Sequence, residues 1–161
     1  MFTPINRGVY LMEGIRIIGL PEAKMVTSGN QNINEFDQWF TEVNKTRKDP
    51  FFPRDFMWFD KESDHLVWYY ALPEGLEDTN GYEVVHFPGW LYAAAVCEDE
   101  NDVDSERVYK GILEWIQESC CFELDERPGH YTLFHVITPD AAYQVMGYRQ
   151  LDIFVPIKVI E

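Results

Sequence analysis

The stretch EVVHFPGWLYAAAV, residues 83–96, contains the features that decide the fold. Its first part is rich in β-branched and aromatic residues, Pro88 and Gly89 interrupt it, and three alanines and a valine follow. Proline and glycine mark bends in strands, and small side chains allow a second element to approach closely. We interpret the stretch as one long strand with a Pro-Gly bend. Its large aromatic side chains either fill a core or line a pocket.

Working outward from this strand, the chain repeats one order of elements. Upstream, IRIIGLP and KMVTSG predict a strand, and Asn32 with Glu35 predicts the start of a helix that runs to about Arg47. DFMWFD and HLVWYYAL predict a hairpin, since a polar KESD turn separates them. Downstream, an acidic EDENDVDSE segment precedes a second helix, and HYTLFHVI and QLDIFVPIKVI predict two more strands.

The order strand-helix-strand-strand therefore occurs twice, over residues 14–75 and 82–161. Two such units predict an α+β fold, in which one antiparallel sheet carries both helices on one face. A ligand groove would lie along the pseudo-dyad between the halves. We expect a single domain over residues 14–161, preceded by an irregular N-terminal arm over residues 1–13.

Composition restricts the classes of function. The chain has 161 residues, a formal net charge of −15 and an aromatic content of 16%. An acidic surface repels phosphate backbones, so direct nucleic-acid binding is not expected. The sequence contains neither a signal-peptide core nor a membrane-length apolar run, so we expect a cytoplasmic protein that does not bind membranes. One domain cannot fully bury so many rings, which favours an aromatic pocket.

No motif predicts a metal or a cofactor. The four histidines lack helical i,i+4 spacing, and the acidic segment does not fit a calcium-binding loop. Phosphate-binding and dinucleotide-binding glycine patterns are absent, as is a nucleophile elbow. The three cysteines, Cys97, Cys120 and Cys121, form no C-x-x-C pair. We expect reduced cysteines and a buried, inert Cys120, with reactive-thiol chemistry at Cys120 as the alternative.

Several segments together resemble the GyrI-like small-molecule-binding domains, the effector-binding domains of AraC-type and MerR-type regulators. The segments that carry the resemblance are IRIIGLPEAKMVTSG, FPGWLYA, YKGILEWIQES with FELD, and LDIFVPIK. Their order and spacing carry the likeness, which covers the chain from about Gly14 to its last residue. The resemblance implies a duplicated β-α-β-β fold and a groove for lipophilic, often cationic or planar, aromatic compounds.

The first hypothesis is a stand-alone binding protein for such compounds, which senses or sequesters xenobiotics. Aromatic rings can stack on flat ligands and attract cations to their faces. Trp39 and Trp115 also lie on apolar helix faces, where core packing is the alternative. The residues that would line the pocket are Trp39, Trp58, Trp68, Tyr70, Trp90, Tyr92, Trp115 and Tyr148.

The second hypothesis is hydrolysis in the same aromatic cage. Some GyrI-like proteins hydrolyse cyclopropane-bearing DNA-alkylating compounds, and such a reaction needs a group that orients water. His135, Glu83 or Glu123 could take this role, and a structural His135 is the alternative. The resemblance implies a pocket glutamate at or near the position of His135, and small residues where Trp90 stands. A third hypothesis, docking on a larger protein, leaves the identity of a protein partner open.

Overall fold

The computed structural model describes residues 14–49 and 51–161, which form nine strands and three helices. The predicted arm, residues 1–13, lies outside the described residues. The elements in chain order are β1 (Arg16–Leu20), β2 (Ala23–Thr27), α1 (Ile33–Lys45), β3 (Asp55–Asp60), β4 (His65–Ala71), β5 (Glu83–Phe87), β6 (Trp90–Glu98), α2 (Asp102–Glu118), β7 (Phe122–Leu124), β8 (Leu133–Val136), α3 (Asp140–Met146) and β9 (Gln150–Val159).

The described residues divide into two compact units. The terminal unit comprises residues 14–20 together with 90–161, and the central unit comprises residues 21–89. Antiparallel pairing orders the strands β1-β6-β9-β8 in the terminal unit, with β7 also paired to β9, and β3-β4-β2-β5 in the central unit. Antiparallel sheets with helices confirm the predicted α+β class.

The segment 83–96 is two strands rather than one bent strand. β5 pairs with β2 in the central unit, whereas β6 pairs with β1 in the terminal unit. Pro88 has no N–H to donate, and Gly89 and Trp90 have φ angles of 65° and 115°. Positive φ angles at two successive residues end the extended conformation, so the Pro-Gly break separates β5 from β6. The chain crosses between the units at this break and again at Pro21.

In the central unit, α1 packs on one face of the sheet. The Asn32 side chain accepts hydrogen bonds from the backbone N–H groups of Asn34 and Glu35, at 2.9 and 3.1 Å, which confirms the predicted helix start. The helix buries its aromatic side chains against β2 and β4. This core, which we call the α1 core, consists of Val26, Phe36, Phe40, Tyr70 and Tyr82, with Trp39, Val43, Trp68 and Leu72 packed against it.

In the terminal unit, α2 packs on the small residues of β6. Asn101 caps the helix, and Asp102 and Asp104 lie in its first turn, where carboxylates interact favourably with the positive end of the helix dipole. Ala93 and Ala95 face the helix together with Cys97, so the helix approaches the sheet closely. The remaining buried members of this core are Val108, Ile112, Trp115, Ile116, Ile153, Val155 and Ile157.

Four further features differ from the sequence prediction. The stretch IRIIGLP with KMVTSG forms two strands, β1 and β2, which pair in different units, rather than one. The short strand β7 and the helix α3 were not predicted, because three residues carry little periodicity and α3 buries none of its residues. The expectation of a buried Cys120 is wrong: Cys120 and Cys121 are exposed, and Cys97 is buried. Within the described residues, no helix has both the length and the apolar composition needed to cross a membrane.

Candidate functional site

A row of mostly buried side chains lies on the face of the terminal sheet opposite α2, which we call the distal face. Directly paired residues of antiparallel strands project to the same side of a sheet, and alternate residues share a face. The strand registers therefore bring together Arg16 and Ile18 of β1, Tyr92 and Ala94 of β6, Leu133 and His135 of β8, and Asp152, Phe154 and Pro156 of β9.

Asp152 is the buried acid of the distal face. Its side chain is 8% exposed, and its Oδ1 accepts a 2.6 Å hydrogen bond from Nη2 of Arg16, whose side chain is 50% exposed. His135 is the direct register partner of Asp152 and is also buried. Burial raises the pKa of the Asp152 carboxyl, and the charges of Arg16 and His135 offset part of that rise. A buried carboxylate is stabilised when a positive charge lies beside it.

Ala94 explains how Arg16 reaches Asp152. Arg16 is paired with Ala94 on β6, and Ala94 is paired in turn with Phe154 on β9. The guanidinium therefore has to cross β6 to bind a carboxylate on the next strand. Ala94 is fully buried and has only a methyl group, so the Arg16 side chain can pass over it. The middle alanine of the AAAV run thus lies on the distal face, while its two neighbours face α2.

Tyr92 lies further along the same face. Its ring meets the Phe154 ring edge-on, with the centroids 6.2 Å apart. The side chain is fully buried, and within the described residues its hydroxyl has no hydrogen-bond partner. Burial raises the pKa of the Tyr92 hydroxyl, and the nearby charge of Asp125 raises it further, so the group remains a protonated donor at neutral pH. An unused buried donor is costly for the fold and is available to a ligand.

Removing this hydroxyl should stabilise the protein. We expect Tyr92→Phe to raise the free energy of unfolding by about 1 kcal/mol, since an unsatisfied buried polar group destabilises the folded state. Urea denaturation measures the change. Tyr70→Phe is the matched control, because the buried Tyr70 hydroxyl bonds to Oδ1 of Asn44 at 3.2 Å and its removal should lower stability. Equal losses in both variants would show that the Tyr92 hydroxyl is bonded.

A second acid, Asp125, follows β7 and lies next to Pro156 of β9, whose register partner on the other edge of β9 is Tyr92. Its backbone N–H donates to the Pro156 carbonyl at 3.0 Å, and its side chain is fully buried. Arg127 donates to both carboxylate oxygens through Nε and Nη2, at 2.8 and 2.6 Å, and thereby holds the pKa of Asp125 below its usual value. Nδ1 of His130 lies 3.4 Å from Oδ2 of Asp125, and burial lowers the pKa of this histidine. Arg127 thus already neutralises Asp125.

In the central unit, the predicted pocket rings lie on both faces of the sheet. Trp39, Trp68 and Tyr70 belong to the α1 core, where Tyr70 stacks on Phe40 at 4.9 Å. Trp58 lies on the opposite face, buried, with its ring 5.7 Å from that of Tyr69. Tyr70 is therefore a buried member of the α1 core, and Trp39 and Trp68 are partly buried against it.

The other predicted residues of the terminal unit are dispersed. Trp115 lies on the sheet-facing side of α2, where it is buried and stacks on Phe122, whereas Trp90 and Tyr148 are 56% and 43% exposed. Of the three candidate catalytic residues, only His135 is buried. Glu83 and Glu123 are both exposed, and Glu123 lies 3.6 Å from Nζ of Lys158.

Sequence reasoning missed Arg16, Asp125, His130 and Asp152 as members of a site. The sequence did hold a signal for Asp152, since a lone acid in the apolar run LDIFVPIK is expected to be buried only if it has a partner. That partner could not be found, because Arg16 lies 136 residues away along the chain.

The sequence matches no protein-family model and no curated protein. Solved structures do share the fold. The C-terminal domain of EcmrR is 13% identical with a TM-score of 0.63, over 91% of this chain and 98% of that one. A hydrolase from Listeria innocua is 10% identical with a TM-score of 0.62, over 90% and 92% of the two chains.

A third structure is SAV2435 bound to tetraphenylphosphonium, which is 11% identical with a TM-score of 0.54, over 89% of this chain and 93% of that one. At these identities the likeness shows the fold alone. The chain therefore shares its fold with the C-terminal domain of EcmrR, with tetraphenylphosphonium-bound SAV2435 and with a hydrolase.

Proposed function

We propose that this chain binds lipophilic, planar or cationic small molecules on the distal face of the terminal unit, as a protein of the GyrI-like type. The observation that carries the proposal is the buried Asp152 carboxylate on the same face of the sheet as the Phe154 ring, which in turn contacts the Tyr92 ring. Sensing or sequestering xenobiotics is the role that such binding would serve.

The electrostatics of the distal face support a cationic ligand. The Asp152 carboxylate is shielded from most of the solvent, and it forms an ion pair with Arg16, whose side chain is half exposed. A ligand cation could replace that guanidinium and pair with the carboxylate in surroundings where screening is weak. Phe154 and Tyr92 would add ring faces and apolar area, which favour flat or aromatic ligands. The unused Tyr92 hydroxyl supplies a hydrogen-bond donor for ligand selection.

The fold comparison supports the same ligand class. SAV2435, which shares the fold, is bound to tetraphenylphosphonium, a cation surrounded by four phenyl rings. A calorimetric titration of this protein with tetraphenylphosphonium tests the proposal. We expect saturable binding at one site, and no measurable heat from tetramethylammonium, which has the same charge without the rings. Failure of tetraphenylphosphonium to bind would overturn the proposal.

Arg16 should act as a competitor of the ligand. Arg16→Gln removes the positive charge from Asp152, so we expect tetraphenylphosphonium to bind about threefold to tenfold more tightly, the effect of a partly exposed ion pair of about 1 kcal/mol. The titration is made at pH 8, well above the usual pKa range of a carboxyl, because burial raises the pKa of Asp152. Arg149→Gln is the matched control, because Arg149 pairs with the exposed Asp140 at 3.0 Å outside the distal face. Equal affinities of the Arg16→Gln variant and the wild type would contradict competition.

Hydrolysis is the second candidate function, and one observation favours it. Asp152 and His135 are register partners, and both are buried. Burial raises the pKa of the Asp152 carboxyl, which makes its carboxylate a stronger base. Such a pair could take a proton from a water molecule that attacks an electrophilic substrate. The likeness to a Listeria innocua hydrolase supports the fold of such an enzyme.

Turnover separates the two functions. The protein is incubated at low concentration with an excess of a cyclopropane-bearing alkylating compound, and mass spectrometry follows a product heavier by one water. Hydrolysis predicts many products per protein molecule and their loss in His135→Gln. Stoichiometric binding without product would remove the hydrolase function and leave binding.

A further inference from the structure

Cys120 and Cys121 form an exposed dithiol at the end of α2, away from the residues of the distal face. Their Sγ atoms lie 3.6 Å apart in hydrogen-bonding contact, and both residues are exposed. Hydrogen bonding to Cys120 raises the pKa of the Cys121 thiol, and the charge of Cys120 raises it further. The two sulfur atoms therefore lie in direct contact with each other at the end of α2.

The backbone holds this pair in place from both sides. Ser119, the buried C-cap of α2, accepts hydrogen bonds at its Oγ from the N–H groups of Cys121 and Phe122, at 3.1 and 3.2 Å. The Cys121 carbonyl accepts from the Ile160 N–H at 2.9 Å, and Phe122 stacks on the buried Trp115. The two sulfurs are thus presented on an ordered turn, which lowers the entropic cost of binding one ligand atom with both.

A disulfide between the two cysteines is disfavoured. Adjacent Cα atoms are about 3.8 Å apart across a trans peptide, whereas disulfides usually span about 4.4–6.8 Å between Cα atoms. Zinc fits poorly as well, since it takes four ligands. Within the described residues, no group of three or more His, Cys, Asp and Glu side chains could hold a metal ion. The pair suits a soft centre that is satisfied by two sulfurs.

We infer that Cys120 and Cys121 form a binding site for trivalent organic arsenic, a soft centre that takes two sulfur ligands beside its carbon substituent. Both S–H bonds and the arsenic–oxygen bond of an arsenoxide break, and two arsenic–sulfur bonds form. The two protons leave with the oxygen as one water molecule. Arsenic stays trivalent, so the step needs no oxidant or reductant. This site is independent of the binding proposed for the distal face.

Phenylarsine oxide is the probe. Intact-protein mass spectrometry of the reduced full chain should show one adduct, equal in mass to the probe less one water. A monothiol should leave the adduct in place, and 2,3-dimercaptopropanol should remove it. Cys120→Ser and Cys121→Ser should each lose the monothiol-resistant adduct, with an affinity at least about tenfold weaker. Both side chains are exposed, so these variants should fold.

Cys97→Ala is the matched control. Cys97 is buried, and burial raises the pKa of its thiol to about 11, so it should not contribute to the adduct. The Cys97→Ala variant should therefore bind the probe as the wild type does. The inference is overturned if the wild type forms no adduct that resists a monothiol. It is equally overturned if either serine variant keeps the adduct unchanged.

Discussion

Replacing Asp152 by asparagine is expected to weaken the binding of tetraphenylphosphonium by about tenfold or more, or at least about 1.4 kcal/mol. Asparagine keeps the shape of the side chain and removes the charge. The carboxylate is buried, so its attraction to a cation is only weakly screened by water and salt. Calorimetric titration of the variant and the wild type at pH 8 measures the difference.

The matched control is Asp140→Asn. Asp140 also pairs with an arginine, but its side chain is 87% exposed. We expect no change in affinity there, because water and salt screen an exposed carboxylate. A loss of affinity equal in the two variants would mean that net charge attracts the cation. An unchanged affinity in Asp152→Asn alone would remove Asp152 from the site.

Phe36→Ala should produce the largest loss of stability, about 3–5 kcal/mol. The Phe36 ring is fully buried in the α1 core and lies 4.8 Å from Tyr82, edge-on, and 5.7 Å from both Trp39 and Phe40. Truncation removes its buried area, its ring contacts and the filling of the space between helix and sheet. Urea denaturation followed by circular dichroism measures the change.

Phe59→Ala is the control for this variant. Phe59 lies on β3 in the same unit, but its side chain is 45% exposed, so its truncation should cost less than about 1 kcal/mol. Similar losses in both variants would show that the α1 core is not the principal core of the central unit.

The local elements were predictable because their signals are short in range. Asn32 with Glu35 gave the start of α1, and the polar turn gave the β3–β4 hairpin. The register places Trp68 and Tyr70 on one face of the hairpin and Trp58 on the other. The alternation of side chains along a strand does not show which face of the sheet a helix covers, since every second residue points to each face. Three of the predicted pocket rings consequently lie in the α1 core.

The distal face depends on contacts that are remote in sequence. Asp152 and Arg16 come together only because β6 pairs with both β1 and β9, and no local pattern encodes that order. The segment 83–96 likewise contained the evidence for a break, but not the fact that its two strands pair in different units. The roles of the three alanines likewise depend on their neighbours on the two faces of β6, which are α2 for Ala93 and Ala95 and the Arg16 side chain for Ala94.

The most direct test of the proposed function compares two probes of the same shape and opposite charge. Tetraphenylphosphonium and tetraphenylborate both have four phenyl rings around a central atom, so their apolar contacts are nearly equal. If Asp152 and its neighbouring rings form the site, calorimetry at pH 8 will show saturable binding of the phosphonium, and binding of the borate at least about tenfold weaker. Equal binding of both ions, or no binding of the phosphonium, would contradict a site for lipophilic cations.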